Sequence, residues 1–486
     1  MTSRPAVPSV VVDTRPLPRI LFERALRPAI FVATALLYWF IVARPPPAGL
    51  SEAGLKSLGV FVVCLVFWVT SVLPLMVTSL LAIIMLPLTG IMPANKAFAL
   101  FGNEAVFFIL GVFILAACLM KSRLSTRLAL GLLRRFGHTP RTLLLSIYLL
   151  NALMSFFMSE HAVAAMNFPI IVEIVDVLRL QKQRSTYAKA LFLAMAWGTT
   201  IGGVATLLGG ARAPLALGMV KEATGQTFTF LEWAVASLPV TVGMLVVGWV
   251  VITRFFPIDV ASIRAADALL AEKALALGRM SAREKAIAAV MLGTLAGWIF
   301  GGEEFGLGNV AIGAVVVLFV LNLVKWEEVE GYVSWGILLM YGGAIALGAA
   351  TNSSGAAGWL SQHTISRWSN SGPMAIAIIS ALSIVLTELM SNSAVVAMLM
   401  PVTLGVAHDF AMDPRVMALV VAVPAGLGFT MPIGTPANAI AYSSGHLSMR
   451  DMMVPGAVLA VASWVVFNLV ARLFWPVLGI SLGTGS

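Results

Sequence analysis

Apolar runs follow one another along nearly the whole chain, and this succession decides the solvent in which it folds. A membrane-spanning helix needs about 20 mostly apolar residues. Candidate spans lie at 29–43, 57–72, 75–92, 105–120, 187–220, 230–254, 286–301, 306–324, 332–350, 414–445 and 452–478. Charged residues make up only 11% of the chain, whereas a soluble domain carries about 25%. Such a chain cannot cover itself with polar groups in water, so lipid must surround most of it. The expected fold class is an all-α polytopic membrane protein with about 11 transmembrane helices. A disulfide scaffold, a coiled coil and extended disorder are excluded by the same composition. Cys64 and Cys118 both lie inside apolar runs and read as small packing residues, with no disulfide or metal site implied.

Two further apolar stretches, 142–178 and 373–408, are too long for one helix and too short for two full spans. Ser159-Glu160-His161 interrupts the first near its middle, and Ser391-Asn392-Ser393 the second. Both read as re-entrant hairpins that enter the membrane, turn at midplane and leave on the same side. Irregular backbone at that depth is tolerated only where it is buried in protein or faces a cavity.

The net charge of +9 is clustered between the apolar runs, as the positive-inside rule predicts, which points to membrane topology and not to nucleic acid. The stretch 121–141 carries Lys121, Arg123, Arg127, Arg134, Arg135 and Arg141 without an acid and reads as a cytoplasmic loop. The distribution puts the basic N-terminal segment 1–28 inside and the C-terminus outside, in a cell inner (plasma) membrane. The run that starts near Pro28 has no small-residue cleavage site and reads as a first span, not a signal peptide. The mixed-charge segment 257–283 reads as a cytoplasmic linker between two halves, with room for a surface helix.

The two interruptions are related. Residues 158–170 read MSEHAVAAMNFPI and residues 390–402 read MSNSAVVAMLMPV, with seven of thirteen positions identical at constant spacing. A second pair follows, Gly209-Gly210-Ala211-Arg212-Ala213-Pro214 and Gly434-Thr435-Pro436-Ala437-Asn438, and each breaks an apolar span. On the charge count the first hairpin opens inside and the second outside, so the two repeats have inverted topology. Duplicated halves with broken helices in matching places point to a secondary transporter with its site at the repeat interface. Unwinding a helix at midplane frees carbonyls for a cation and aims helix N-termini at an anion.

At these residues the chain resembles the divalent anion/sodium symporter (DASS) family, which carries dicarboxylates, citrate or sulfate. The carriers of the resemblance are Ser391-Asn392-Ser393 and Gly434-Thr435-Pro436-Ala437-Asn438-Ala439-Ile440, similar to the family's Ser-Asn-Thr tips and Gly-Thr-Pro-Pro-Asn-like loops. The resemblance implies a homodimeric elevator transporter. Scaffold helices would occupy 29–120 and 286–350, and 255–285 would be the linker. A transport domain would comprise 121–254 (hairpin 142–178, broken helix 187–220) and 373–478 (hairpin 373–408, broken helix 414–445). It further implies sodium at Ser391, Asn392 and the Gly434 backbone, and substrate facing Ser393, Thr435 and Pro436. No cofactor is expected beyond the coupling ion.

The first half departs from the family pattern. Ser159 and Gly209 stand where a first sodium site would lie, but Glu160 and His161 replace Asn and Thr, and Arg212 lies in the loop. Ionisable groups at this depth are functional candidates by default. Arg212 could supply the charge of a first sodium and balance Glu160 or the substrate. Glu160 or His161 could instead take up a proton, or Glu160 and Arg212 could form a structural pair. Ser159, Glu160, His161 and Arg212 therefore join the substrate-site candidates. The rival reading is a sodium/proton antiporter or arsenite-type permease with Glu160 as its proton-binding carboxylate. No enzyme is expected, since neither a HExxH nor a Gly-x-Ser-x-Gly motif occurs.

Overall fold

The computed structural model describes residues 17–483, so most of the basic segment 1–28 lies outside it. Among the described residues every regular element is a helix. Six helices among the described residues are long and apolar enough to cross a membrane: Ala25–Val42 within the first helix, Glu52–Thr70, Ala94–Lys121, Phe230–Phe255, Trp335–Ser353 and Met449–Leu473. Both hairpins and two further spans are cut into shorter pieces, and those cuts build the site.

Both hairpins form where the polar interruptions fall. The first pairs Pro140–Ser155 with Glu160–Val177, and the second pairs Gly372–Thr387 with Asn392–Asp409. Their arms are 16 and 18 residues in each case, so the sequence repeat is a structural repeat in unbroken register. The local cause is the same in both. Ser159 Oγ accepts from Ala162 N at 3.4 Å and Ser391 Oγ from Ala394 N at 3.3 Å, so each serine caps the returning helix and satisfies a donor that lipid could not.

The two spans expected to be broken are broken. Thr186–Gly202 and Arg212–Thr224 flank one loop, and Arg415–Ala425 and Pro436–Ser443 flank the other. Thr435 Oγ1 caps the last of these by accepting from Asn438 N at 3.2 Å, with Pro436 in its first turn, where a missing N–H is harmless.

Three expectations need correction. The stretch 121–141 is not a loop, because Leu124–Phe136 is an amphipathic helix that buries Leu124, Ala129, Leu130 and Leu133 and keeps Arg134 and Arg135 in its last turn. The first helix begins at Leu17 and runs through Pro28 to Val42, longer than the expected 29–43. His446, which its place at a span end suggests is interfacial, is buried with its ring 5.3 Å from that of Phe192. The linker carries a helix, Arg264–Ala276, tied to the first hairpin by a 2.6 Å Lys273–Glu173 ion pair.

Candidate functional site

Four helix N-termini meet at one cavity of about 810 Å³: those of Glu160–Val177, Arg212–Thr224, Asn392–Asp409 and Pro436–Ser443. Each is a positive dipole end, so their convergence makes the cavity favourable for an anion. Every site residue expected from the sequence lines it, from Ser159, Glu160, His161, Gly209 and Arg212 to Ser391, Asn392, Ser393, Gly434, Thr435 and Pro436. The opposite wall is mostly apolar and includes Leu75, Phe113, Met120, Tyr332, Ile337 and Met340.

In the first half Arg212 Nη1 lies 2.7 Å from Glu160 Oε1, with the two side chains only 3% and 4% exposed. Arg212 Nε donates to the carbonyl of Ala422 at 3.1 Å, in the last turn of Arg415–Ala425. The guanidinium therefore joins a carboxylate of one half to the negative end of a helix in the other, where a cation is electrostatically favoured. Room for it comes from glycines. A Cβ at Gly210 would strike Nη1, and one at Gly426 would strike Nε, Nη2 and Cζ. Among the described residues Nη2 has no hydrogen-bond partner, and it is buried. Glu160 N also donates to Gly209 O at 2.9 Å, fastening the hairpin tip to the broken helix.

His161 follows on the same tip and is exposed to the cavity. Tyr341, from the Trp335–Ser353 helix, donates its hydroxyl to the carbonyl of Ala211.

The second half holds no charged pair at the matching place. Asn392 occupies the register position of Glu160, and its Oδ1 lies 2.8 Å from Thr387 Oγ1, which is 2.6 Å from the Ala425 carbonyl. Ser391, Asn392, Thr387 and the Gly434 backbone thus form a cluster of neutral oxygens, the donor type that suits a hard monovalent cation. The residues present fit such an ion. Thr435 is buried with its hydroxyl engaged in capping and 3.4 Å from Thr200 Oγ1, whereas Pro436 is exposed.

Thr387 of this cluster has no counterpart among the sequence candidates, whereas Glu388 behind it, one turn before the second motif, reads from the sequence equally as a supporting group or as a helix-packing hydrogen bond. Thr387 sits four residues before Ser391 and has the signature of an ordinary apolar helix. Glu388 accepts from the backbone N–H groups of Phe429, Thr430 and Met431 at 2.7–3.1 Å, and its signal is that it is the one acidic residue in 373–408.

Comparison with known proteins agrees with this architecture. A family profile described as the sodium:sulfate symporter transmembrane region matches residues 26–481. The chain is 29% identical to the sodium-dependent dicarboxylate transporter SdcS of Staphylococcus saprophyticus, over 94% of this chain and 92% of that protein. It is 27% identical to SdcS of Staphylococcus aureus over the same shares. Its fold is similar to that of the Alcanivorax borkumensis YdaH transporter, with a TM-score of 0.51, 15% identity and coverage of 96% and 100%. The Neisseria gonorrhoeae MtrF structure is similar too, at a TM-score of 0.51, 14% identity and coverage of 94% and 95%. A profile match over nearly the whole length, on a fold with these paired hairpins and broken helices, makes the chain a multi-pass membrane protein of the divalent anion/sodium symporter family.

Proposed function

We propose that the protein is a secondary active transporter of small dianions, dicarboxylates or sulfate, coupled to sodium at the second half-site. The observation that carries this reading is the convergence of four helix N-termini and a neutral oxygen cluster on one cavity. The N-termini would hold the anion, and Ser391, Asn392 and Gly434 the sodium ion. In the first half Arg212 would stand in for a second sodium, a cation that stays with the protein and is not transported. Ser159 and Gly209 then serve the tip-to-loop junction. The names of the staphylococcal relatives support sodium and a dicarboxylate.

The cavity reaches Met120 and Tyr332, beside Lys121, whose Nζ lies 5.2 Å from the Tyr332 ring centroid, on the side that the positive-inside rule makes cytoplasmic. This supports an inward-open state, an N-terminus inside and a C-terminus outside, in the plasma membrane. Alternating access by an elevator movement of both hairpins and both broken helices, in a homodimer, follows the family resemblance. The 2.7 Å Glu160–Arg212 contact speaks against the antiporter or permease reading, in which Glu160 would be the proton-binding carboxylate. Proton coupling through the cavity-exposed His161 keeps one observation in its favour. Uptake of labelled succinate and sulfate into proteoliposomes, with sodium varied at fixed pH and pH varied at fixed sodium, tests the proposal. Saturable sodium-dependent uptake is expected. Uptake that follows the proton gradient and ignores sodium would overturn sodium coupling in favour of His161.

A further inference from the structure

Each half-site contains one buried carboxylate, and the two differ in how their charge is met. Glu160, at the start of the returning helix of the first hairpin, faces the guanidinium of Arg212. Glu388, at the end of the entering helix of the second hairpin, is 8% exposed. Its Oε1 accepts from Phe429 N at 2.7 Å and Thr430 N at 3.0 Å, and its Oε2 from Thr430 N at 3.1 Å and Met431 N at 3.0 Å. No cationic side chain among the described residues pairs with it. The position is not a repeat feature, since in hairpin register Glu388 corresponds to Phe156.

A buried carboxylate is costly unless hydrogen-bonded and charge-matched. The three N–H groups meet the first need and leave the second open. The guanidinium of Arg212 packs against Gly426, but its bonds go to Glu160 and the Ala422 carbonyl and none goes to Glu388. One hydroxyl proton on Thr387 lies between Asn392 Oδ1 and the Ala425 carbonyl. A Cβ built on Gly434 would stand 3.0 Å from Glu388 Oε2, so the carboxylate lies directly behind the loop backbone that faces the oxygen cluster. Glu388 itself does not line the cavity.

We infer that Glu388 makes the second half-site dependent on a mobile monovalent cation. It is a positioning residue. Its N–H contacts fix the Phe429–Met431 turn and hence the Gly434 backbone, and its charge is the one the cation neutralises. Arg212 does permanently for Glu160 what sodium does reversibly for Glu388. The inference rests on the proposed sodium coupling and names the residue that sets its strength.

The test uses sodium alone as the probe, titrated as the chloride against choline chloride while thermal unfolding of the full-length purified protein is followed. A cation that binds only the folded state stabilises it by mass action. Two variants separate charge from shape. Glu388→Gln keeps the length and loses the charge, and Glu388→Asp keeps the charge and shortens the reach. If charge sets affinity, the sodium concentration for half-maximal stabilisation rises about tenfold or more in Glu388→Gln and stays within about threefold in Glu388→Asp. An unchanged Glu388→Gln, the reverse order, or equal losses in both overturns the inference and leaves sodium coupling standing. A wild-type protein without any sodium response overturns the coupling itself. Where Glu388→Gln does not fold, Glu388→Asp decides alone: a shift within about threefold supports the charge role, and a larger one refutes it.

Discussion

The Glu160–Arg212 pair offers the sharpest perturbation of the first half-site. The two groups meet at 2.7 Å with 3% and 4% exposure, so neither has water as a substitute partner. Glu160→Gln leaves a guanidinium whose other bond is one carbonyl, that of Ala422 at 3.1 Å. Removing one member of a buried pair typically costs about 3–5 kcal/mol, which is roughly two to four orders of magnitude in the occupancy of the intact arrangement. Removing both members avoids the uncompensated charge, so the double change Glu160→Asn with Arg212→Thr is expected to cost less than either single change. Proteoliposome uptake at saturating sodium should fall at least about a hundredfold in Glu160→Gln and recover partly in the double variant. If Arg212 replaces one cation, the wild type should show a sodium Hill coefficient near one, and the double variant a steeper dependence. Equal activity of Glu160→Gln and wild type would refute the energetic argument. A wild-type Hill coefficient of about two or more would refute the replacement argument and leave Arg212 a structural residue.

Asn392→Ala removes the Oδ1 that meets Thr387 while disturbing little packing, so transport should collapse with expression and thermal stability near wild type. Gly426→Ala places a methyl against the Arg212 guanidinium and should reproduce the transport defect of Arg212→Ala; normal uptake by this variant would show that the guanidinium can move without consequence. Single cysteines test the sidedness. Ser281 and Asn370 are both exposed, and an impermeant thiol reagent applied to intact cells should leave Ser281→Cys unlabelled and label Asn370→Cys. The opposite pattern would invert the topology and the assignment of the cavity to the cytoplasmic side.

Much of the site is legible in the sequence because polar residues stand out in an apolar chain. Ser159-Glu160-His161 and Ser391-Asn392-Ser393 mark the hairpin tips, and the serines are the helix caps themselves. The Gly209–Pro214 and Gly434–Asn438 motifs mark the broken helices for the same reason. What escapes is whatever depends on pairing across the chain. Glu388 stands out in the sequence as a lone acid one turn before the second tip, but its three donors lie 41–43 residues away and no local pattern encodes that contact. Thr387 gains significance only once the Ala425 carbonyl is folded against it. The Leu124–Phe136 helix is missed for another reason. Counting its arginines fixes the side of the membrane but ignores the period at which its leucines recur, and that period makes it a helix lying on the protein.

The two hairpins separate the residues that make the fold from those that set the charge. Ser159 and Ser391 cap, and Pro169 and Pro401 lie at the same place in the returning helices, so both copies keep one backbone. The positions directly after the caps diverge, Glu160 and His161 against Asn392 and Ser393, and they face the cavity. A substitution there leaves helix, cap and register untouched while changing the charge at the point where four helix N-termini converge. If Arg212 stands in for a cation as proposed, an inverted repeat of this kind exchanges a mobile cation for a fixed one in a single half without refolding either. The cost falls on the neighbours that must make room, here Gly210 and Gly426 beside the guanidinium. In the second half a Cβ on Gly434 would crowd Glu388 Oε2 at 3.0 Å. On this argument the count of coupling ions is written in the residues beside the caps and in the glycines that face them.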